Sequence, residues 1–99
     1  MKKHSLLITL SVFAIISPFA QASGEAVFNA LGCSGCHGAG GKSVVPTYPS
    51  LAKSVRADLD VVKQLKDFQS GVRQDPTMNA MAPMAAGQEQ IIADYLAAQ

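Results

Sequence analysis

Cys33-Ser34-Gly35-Cys36-His37 is the stretch on which the reading of this 99-residue chain turns. Two thiols stand three positions apart, and an imidazole follows the second directly. Ser34 and Gly35 are small, and Gly38, Gly40 and Gly41 come at once, so the backbone can pass close to a flat partner. Several ordinary readings compete. A disulfide between the two thiols would close a tiny loop and leave His37 unexplained. A thioredoxin-type pair needs a βαβ context, and no strand signal follows downstream. A structural zinc site wants four ligands, whereas the other histidine, His4, lies in a segment expected to be removed.

The spacing suits covalent attachment of a c-type haem. Two thiols so placed can reach the two vinyl groups on one edge of a porphyrin and form thioethers. The next residue then presents its imidazole to the iron as proximal ligand. One haem c with its iron is therefore the expected cofactor, held by Cys33, Cys36 and His37.

Such chemistry belongs to exported proteins, and the N-terminus agrees. Met1-Lys2-Lys3-His4 is basic, residues 6–16 are apolar, and Ala20-Gln21-Ala22 follows Pro18. That order predicts a secretory signal peptide over residues 1–22, cleaved after Ala22, and a periplasmic location. An uncleaved anchor is the competing reading, but the apolar run is short for a bilayer and carries Thr9 and Ser11. No Cys sits just past that run, which argues against a lipid anchor. Cleavage leaves a single domain, residues 23–99. It removes Lys2 and Lys3, taking Lys+Arg from 8 to 6 against 7 acids. Neither a nucleic-acid partner nor strong steering by net charge is expected. A chain this short needs a staple or a cofactor to hold one fold.

The remainder reads as helices and loops. Ser23 is placed to cap a helix over residues 24–31, with Ala26, Val27, Ala30 and Leu31 near one face and Gly24 and Phe28 together on one side. Gly32 should end it. Residues 38–52 read as loop, with Pro46-Thr47-Tyr48-Pro49 stiff and extended. Such a segment can fix a carbonyl beside a ligand histidine. Residues 58–70 are the clearest helix, with Leu59, Val62, Leu65 and Phe68 recurring, charges opposite, and Gly71 as the stop. Residues 73–86 look irregular and hold Met78, Met81 and Met84. Methionines usually fill cores, but here a thioether could close the sixth position on the iron. Residues 88–99 carry Ile91, Ile92, Tyr95 and Leu96 at helical spacing, and the first helix is the available partner.

Residues 23–99 resemble a class I cytochrome c of the small bacterial periplasmic single-haem type. The resemblance implies an all-α fold, with three main helices plus loops wrapped around one covalent haem. In that family an early glycine and an aromatic four residues later meet an aromatic of the last helix; Gly24, Phe28 and Tyr95 match. Cys33, Cys36 and His37 match the attachment and proximal positions. The stretch Tyr48-Pro49-Ser50-Leu51-Ala52 resembles the loop whose proline carbonyl accepts from the ligand histidine, a role that falls to Pro49, with Tyr48 and Leu51 packing on the haem. Residues 63–71, then Arg73, Asp75-Pro76 and Met78, are similar to bacterial relatives in which the methionine after that Asp-Pro pair is the distal ligand. This chain departs from the pattern in a shorter spacer before the last helix, and Met81-Ala82-Pro83-Met84 partly repeats the motif. Met78 therefore ranks first, Met81 second and Met84 third.

The resemblance implies electron transfer without substrate conversion, hence not an enzyme. Redox partner proteins would dock transiently, because a shuttle must dissociate and such interfaces are small. A monomer without membrane insertion after cleavage is expected. The competing readings are a haem subunit of a larger periplasmic dehydrogenase or oxidase, and a sensor with an open sixth position.

Overall fold

The computed structural model describes residues 18–99, and side chains from Ser23 onward. Most of the expected leader lies outside the described residues. Only its last five residues enter, as backbone of the first helix, α1 (Pro18–Ala30). Ser23 is thus inside α1 rather than its cap, since alanine-rich residues 20–22 continue the helix upstream. Four further helices follow: α2 (Cys33–His37), α3 (Val61–Ser70), α4 (Pro76–Met81) and α5 (Glu89–Ala97). Single 3₁₀ turns cover Ala39–Gly41 and Ala82–Ala85. No strand occurs among the described residues, and none of their helices is long and apolar enough to cross a membrane. The expected all-α architecture with three main helices stands.

The core is the seam between α1 and α5. Phe28, Ile92, Tyr95 and Leu96 are buried there together with Ala85. The Phe28 and Tyr95 rings meet at 5.7 Å between centroids, tilted by 54°, within the range where edge-on aromatic contact is favourable. Gly24 permits this approach. A Cβ there would lie 2.5 Å from both the Ile91 carbonyl oxygen and Tyr95 Cβ. The inner stripe of α1 is accordingly Gly24, Val27, Phe28 and Leu31, while Ala26 and Ala30 face outward. Alanine is too small and too good a helix former for its position to reveal the buried face.

The ends of the helices obey their local chemistry. Gly32 takes the left-handed conformation (φ 80°) between α1 and α2, and Gly71 does so after α3 (φ 83°). Helix α3 starts at Val61, three residues later than the apolar spacing suggests. Asp60 is the reason, because its Oδ1 accepts from the Lys63 N–H at 3.1 Å and caps the helix. Leu59 is left in the preceding turn. The segment expected to be irregular, residues 73–86, is largely helical. Asp75 caps α4 by accepting from the Thr77 and Met78 N–H groups at 3.0 and 2.9 Å, and Pro76 occupies the first turn.

Candidate functional site

Helix α2 is one and a half turns long and carries the three residues of interest. Cys33 and His37 are four apart and Cys36 lies between them in register, so all three fall near one helical face. Both thiols are free. Burial pushes the Cys33 thiol above its ordinary value; its own backbone hydrogen bond opposes this, and neighbouring Cys36 adds to it. It lacks the depressed value by which a thioredoxin-type cysteine becomes reactive. Among the described residues no three His, Cys, Asp or Glu side chains gather as a metal-chelating group, so a zinc site finds no protein ligand set.

His37 is 8% exposed, and its Nδ1 donates to the Pro49 carbonyl at 2.8 Å. That bond assigns the tautomer, leaving the lone pair on Nε2 as the ring's metal-binding position. Tyr48 stands edge-on to the imidazole, 6.5 Å between centroids. Tyr48 is 42% exposed.

The loop that delivers Pro49 is fixed by backbone bonds. The Gly41 carbonyl accepts from both Leu51 and Ala52 N–H groups at 2.7 and 3.1 Å, and the Ser43 N–H donates to Ser50 Oγ at 3.0 Å. The stretch from Pro46 to Pro49 is not extended. The Tyr48 N–H donates to the Val45 carbonyl at 3.0 Å and closes a turn. Pro46 at its second position supplies the fixed φ that such turns favour. Gly38 and Gly41 make room for protein within this loop. A Cβ on Gly38 (φ 84°) would strike the Lys42 carbonyl, and one on Gly41 (φ 73°) would lie 2.6 Å from the Leu96 side chain. The sequence offered Gly41 as a place where the backbone could pass a flat partner; here it makes room for Leu96 and receives two loop N–H groups, and the bond to Ser50 Oγ left no signal in the sequence.

Two clefts border this loop. One, of about 420 Å³, lies between residues 51–62 and α5, with Leu51, Leu59 and Val61 on its walls alongside the charged Lys53, Arg56 and Asp94. The other, of about 380 Å³, has Val44, Val45, Tyr48, Pro49 and Val55 around it. Val44 is 91% exposed and Val55 55%. Clustered apolar surface of this kind marks places covered by another apolar body. Leu51 also packs against the core cluster.

Of the three candidate methionines, Met78 and Met81 are half-buried on α4, while Met84 is 56% exposed on the following turn. Helix α4 therefore carries the two better-shielded sulfurs.

Two free thiols and an imidazole with an assigned tautomer, gathered near one face of a short helix, fit a flat cofactor joined through thioethers. These features define an all-α protein organised around covalently attached haem. The chain belongs to the cytochrome c family, whose pattern matches residues 21–97. It is 31% identical over 100 residues to the cytochrome c4 of Pseudomonas aeruginosa, an alignment covering 97% of this chain and 49% of that protein. The chain thus spans about half the length of that curated relative. Membership of that family gives haem c with iron as its cofactor, for which Cys33, Cys36 and His37 supply the attachment pattern.

Proposed function

We propose that this chain is a periplasmic electron carrier with His/Met coordination, exported by residues 1–22 and active as the domain of residues 23–99. The observation that carries the reading is the 2.8 Å bond from His37 Nδ1 to the Pro49 carbonyl, on the same short helix as both free cysteines. When bound, the haem supplies one-electron redox chemistry.

The chain's own residues hold, orient and shield that group. Cys33 and Cys36 form the two thioethers. His37 would be the proximal ligand through Nε2, and Pro49 fixes its tautomer and ring orientation. Tyr48 and Leu51 would pack against the bound group, the role that the resemblance implies for them. The distal sulfur comes from α4. The resemblance ranks Met78 ahead of Met81, but placement in the fold favours Met81. It adjoins Ala82, which is 1% exposed and whose carbonyl accepts from Gln69 Nε2 at 2.9 Å. Met78 instead follows an exposed run, residues 70–77. A methionine from α4 would leave no open position for a substrate, as a non-enzymatic carrier needs; a monomer that meets its partners briefly suits a shuttle that must dissociate.

Co-expression with haem-attachment machinery, followed by an absorption spectrum and intact mass, tests the reading. The expected product starts at Ser23, carries the mass of one haem, and gives a low-spin six-coordinate spectrum. A folded, colourless product with two titratable thiols would end it. The half-length match to a longer relative favours a second reading, a haem-bearing module of a larger dehydrogenase or oxidase. Under it the native protein co-purifies with a catalytic partner at fixed stoichiometry.

A further inference from the structure

The end of α3 leaves backbone carbonyls without partners inside that helix, as every helix end does. In this chain one of them is claimed by a side chain eleven residues away. Asn79 Nδ2 donates to the Phe68 carbonyl at 2.9 Å and to the Arg73 carbonyl at 3.0 Å. Its Oδ1 accepts from the Asp75 N–H at 2.7 Å. The amide is oriented by these three bonds, because only the nitrogen can serve two carbonyls and only the oxygen can receive an N–H. The Asn79 N–H in turn donates to the Asp75 carbonyl at 2.8 Å, so residues 75 and 79 bond reciprocally.

One carboxamide therefore ties three pieces together: the last turn of α3, the strap at Arg73 and the first residue before α4. The strap is itself pinned, since the Arg73 guanidinium lies 4.6 Å over the Phe68 ring and donates to Gln64 Oε1. Asn79 sits between Met78 and Met81 on a helix of only six residues. A helix so short has little stability of its own and takes its position from its anchors.

We propose that Asn79 is the positioning residue of the distal-ligand helix, holding α4 against α3 so that its methionine sulfur is presented to the iron in one orientation. The inference rests on the reading that the sixth ligand is a thioether from α4. Its removal should leave the haem attached and His37 in place, while letting α4 swing away more often.

The test uses ferric holoprotein and two readouts, the weak far-red band of methionine-to-iron charge transfer and the rate at which imidazole displaces the internal ligand. In Asn79→Ala the band should weaken and imidazole entry should quicken roughly ten- to a hundredfold, as expected when several neutral hydrogen bonds are lost together. Asn79→Asp should be at least as fast, because a carboxylate cannot donate to the two carbonyls. Phe28→Leu serves as a core variant far in sequence from α4. It should lower global stability without a comparable rise in imidazole entry. Wild-type entry rates in Asn79→Ala, or an equal rise in Phe28→Leu, overturn the positioning role. Absence of the far-red band from the wild-type protein overturns the thioether reading, and this inference with it.

Discussion

His37 Nδ1 donates to the Pro49 carbonyl at 2.8 Å across twelve residues of chain, and that bond joins the haem-attachment helix to the loop that closes beside it. The acceptor is a backbone atom, so its position depends on the loop and not on a replaceable side chain. Gly41, receiving both Leu51 and Ala52, sets the path of the chain just beyond Pro49. Replacing Pro49 with Ala keeps the carbonyl but frees φ, enlarging the unfolded ensemble. The expected cost is about 0.4–1 kcal/mol, measured as a lower denaturant midpoint with an unchanged slope. Slackening of the His37 bond should also shift the reduction potential of the holoprotein. A variant that keeps the wild-type potential would show that the bond does not tune the ligand.

Met78 and Met81 give a sharper contrast. Met81→Ala is expected to abolish the far-red charge-transfer band of the ferric protein and convert its spectrum away from six-coordinate low spin, whereas Met78→Ala should retain both features. The reverse pattern would return the distal role to Met78, the order that the resemblance implies. If neither variant changes the spectrum, the thioether does not come from α4. Met84→Ala, at a side chain 56% exposed, should alter neither spectrum nor stability by more than about 0.5 kcal/mol.

Gly24 is the narrowest point of the seam between α1 and α5. Its missing Cβ would fall 2.5 Å from the Ile91 carbonyl oxygen and from Tyr95 Cβ, both parts of the helix framework and not flexible tips. Gly24→Ala must separate the helices or bend one of them, despite the better helix propensity of alanine. Overpacking of this kind costs about 1–3 kcal/mol, a large share of the stability of a small domain. Thermal unfolding of the holoprotein should show the loss. A stability at or above wild type would mean that the helices can part without penalty.

Phe28, fully buried under Tyr95, tests the other side of that seam. Truncation to Ala should cost about 3–5 kcal/mol, enough to leave the polypeptide dependent on its covalent haem for any folded state. Far-ultraviolet circular dichroism of the holoprotein and of material made without haem attachment should therefore diverge more in the variant than in wild type. Equal helicity in both forms would show that the polypeptide core stands without this ring.

How much of this was legible in the sequence depended on whether the signal was covalent, local or tertiary. Haem c as the cofactor was legible at Cys33-Ser34-Gly35-Cys36-His37 because its attachment fixes residue types and spacing together. Gly32 and Gly71 were legible because a left-handed helix end calls for glycine at one position. Helix α4 was hidden by its length: six residues are too few to show a 3.6-residue period, although Asp75 followed by Pro76 is a start signal. The turn from Val45 to Tyr48 was read as extended because the residue before a proline favours that backbone, whereas Pro46 is here the pivot of a turn. The outward placement of Ala26 and Ala30 and the amide bonds of Asn79 follow from the packing of α1 on α5 and of α4 on α3. Neither leaves a trace in the spacing of residues.

Glu89 links three elements and carries the pH dependence of their junction. At the first turn of α5 its carboxylate is held below the usual carboxylate range, first by its own backbone N–H and then by Gln69 Nε2 at 3.1 Å. The same Gln69 nitrogen donates to the Ala82 carbonyl, so this charge helps to fix the turn that follows α4. A carboxyl with a depressed folded value contributes stability that is present above its unfolded value, about 4.3, and is lost as the pH falls through the lower folded value. Wild-type holoprotein should therefore lose melting temperature as the pH falls below that unfolded value, in the direction set by proton uptake on unfolding. Glu89→Gln removes the titration while keeping an acceptor for Gln69, and its acid limb should be flatter than wild type there. Equal slopes for the two proteins would show that the acid sensitivity arises at other carboxylates.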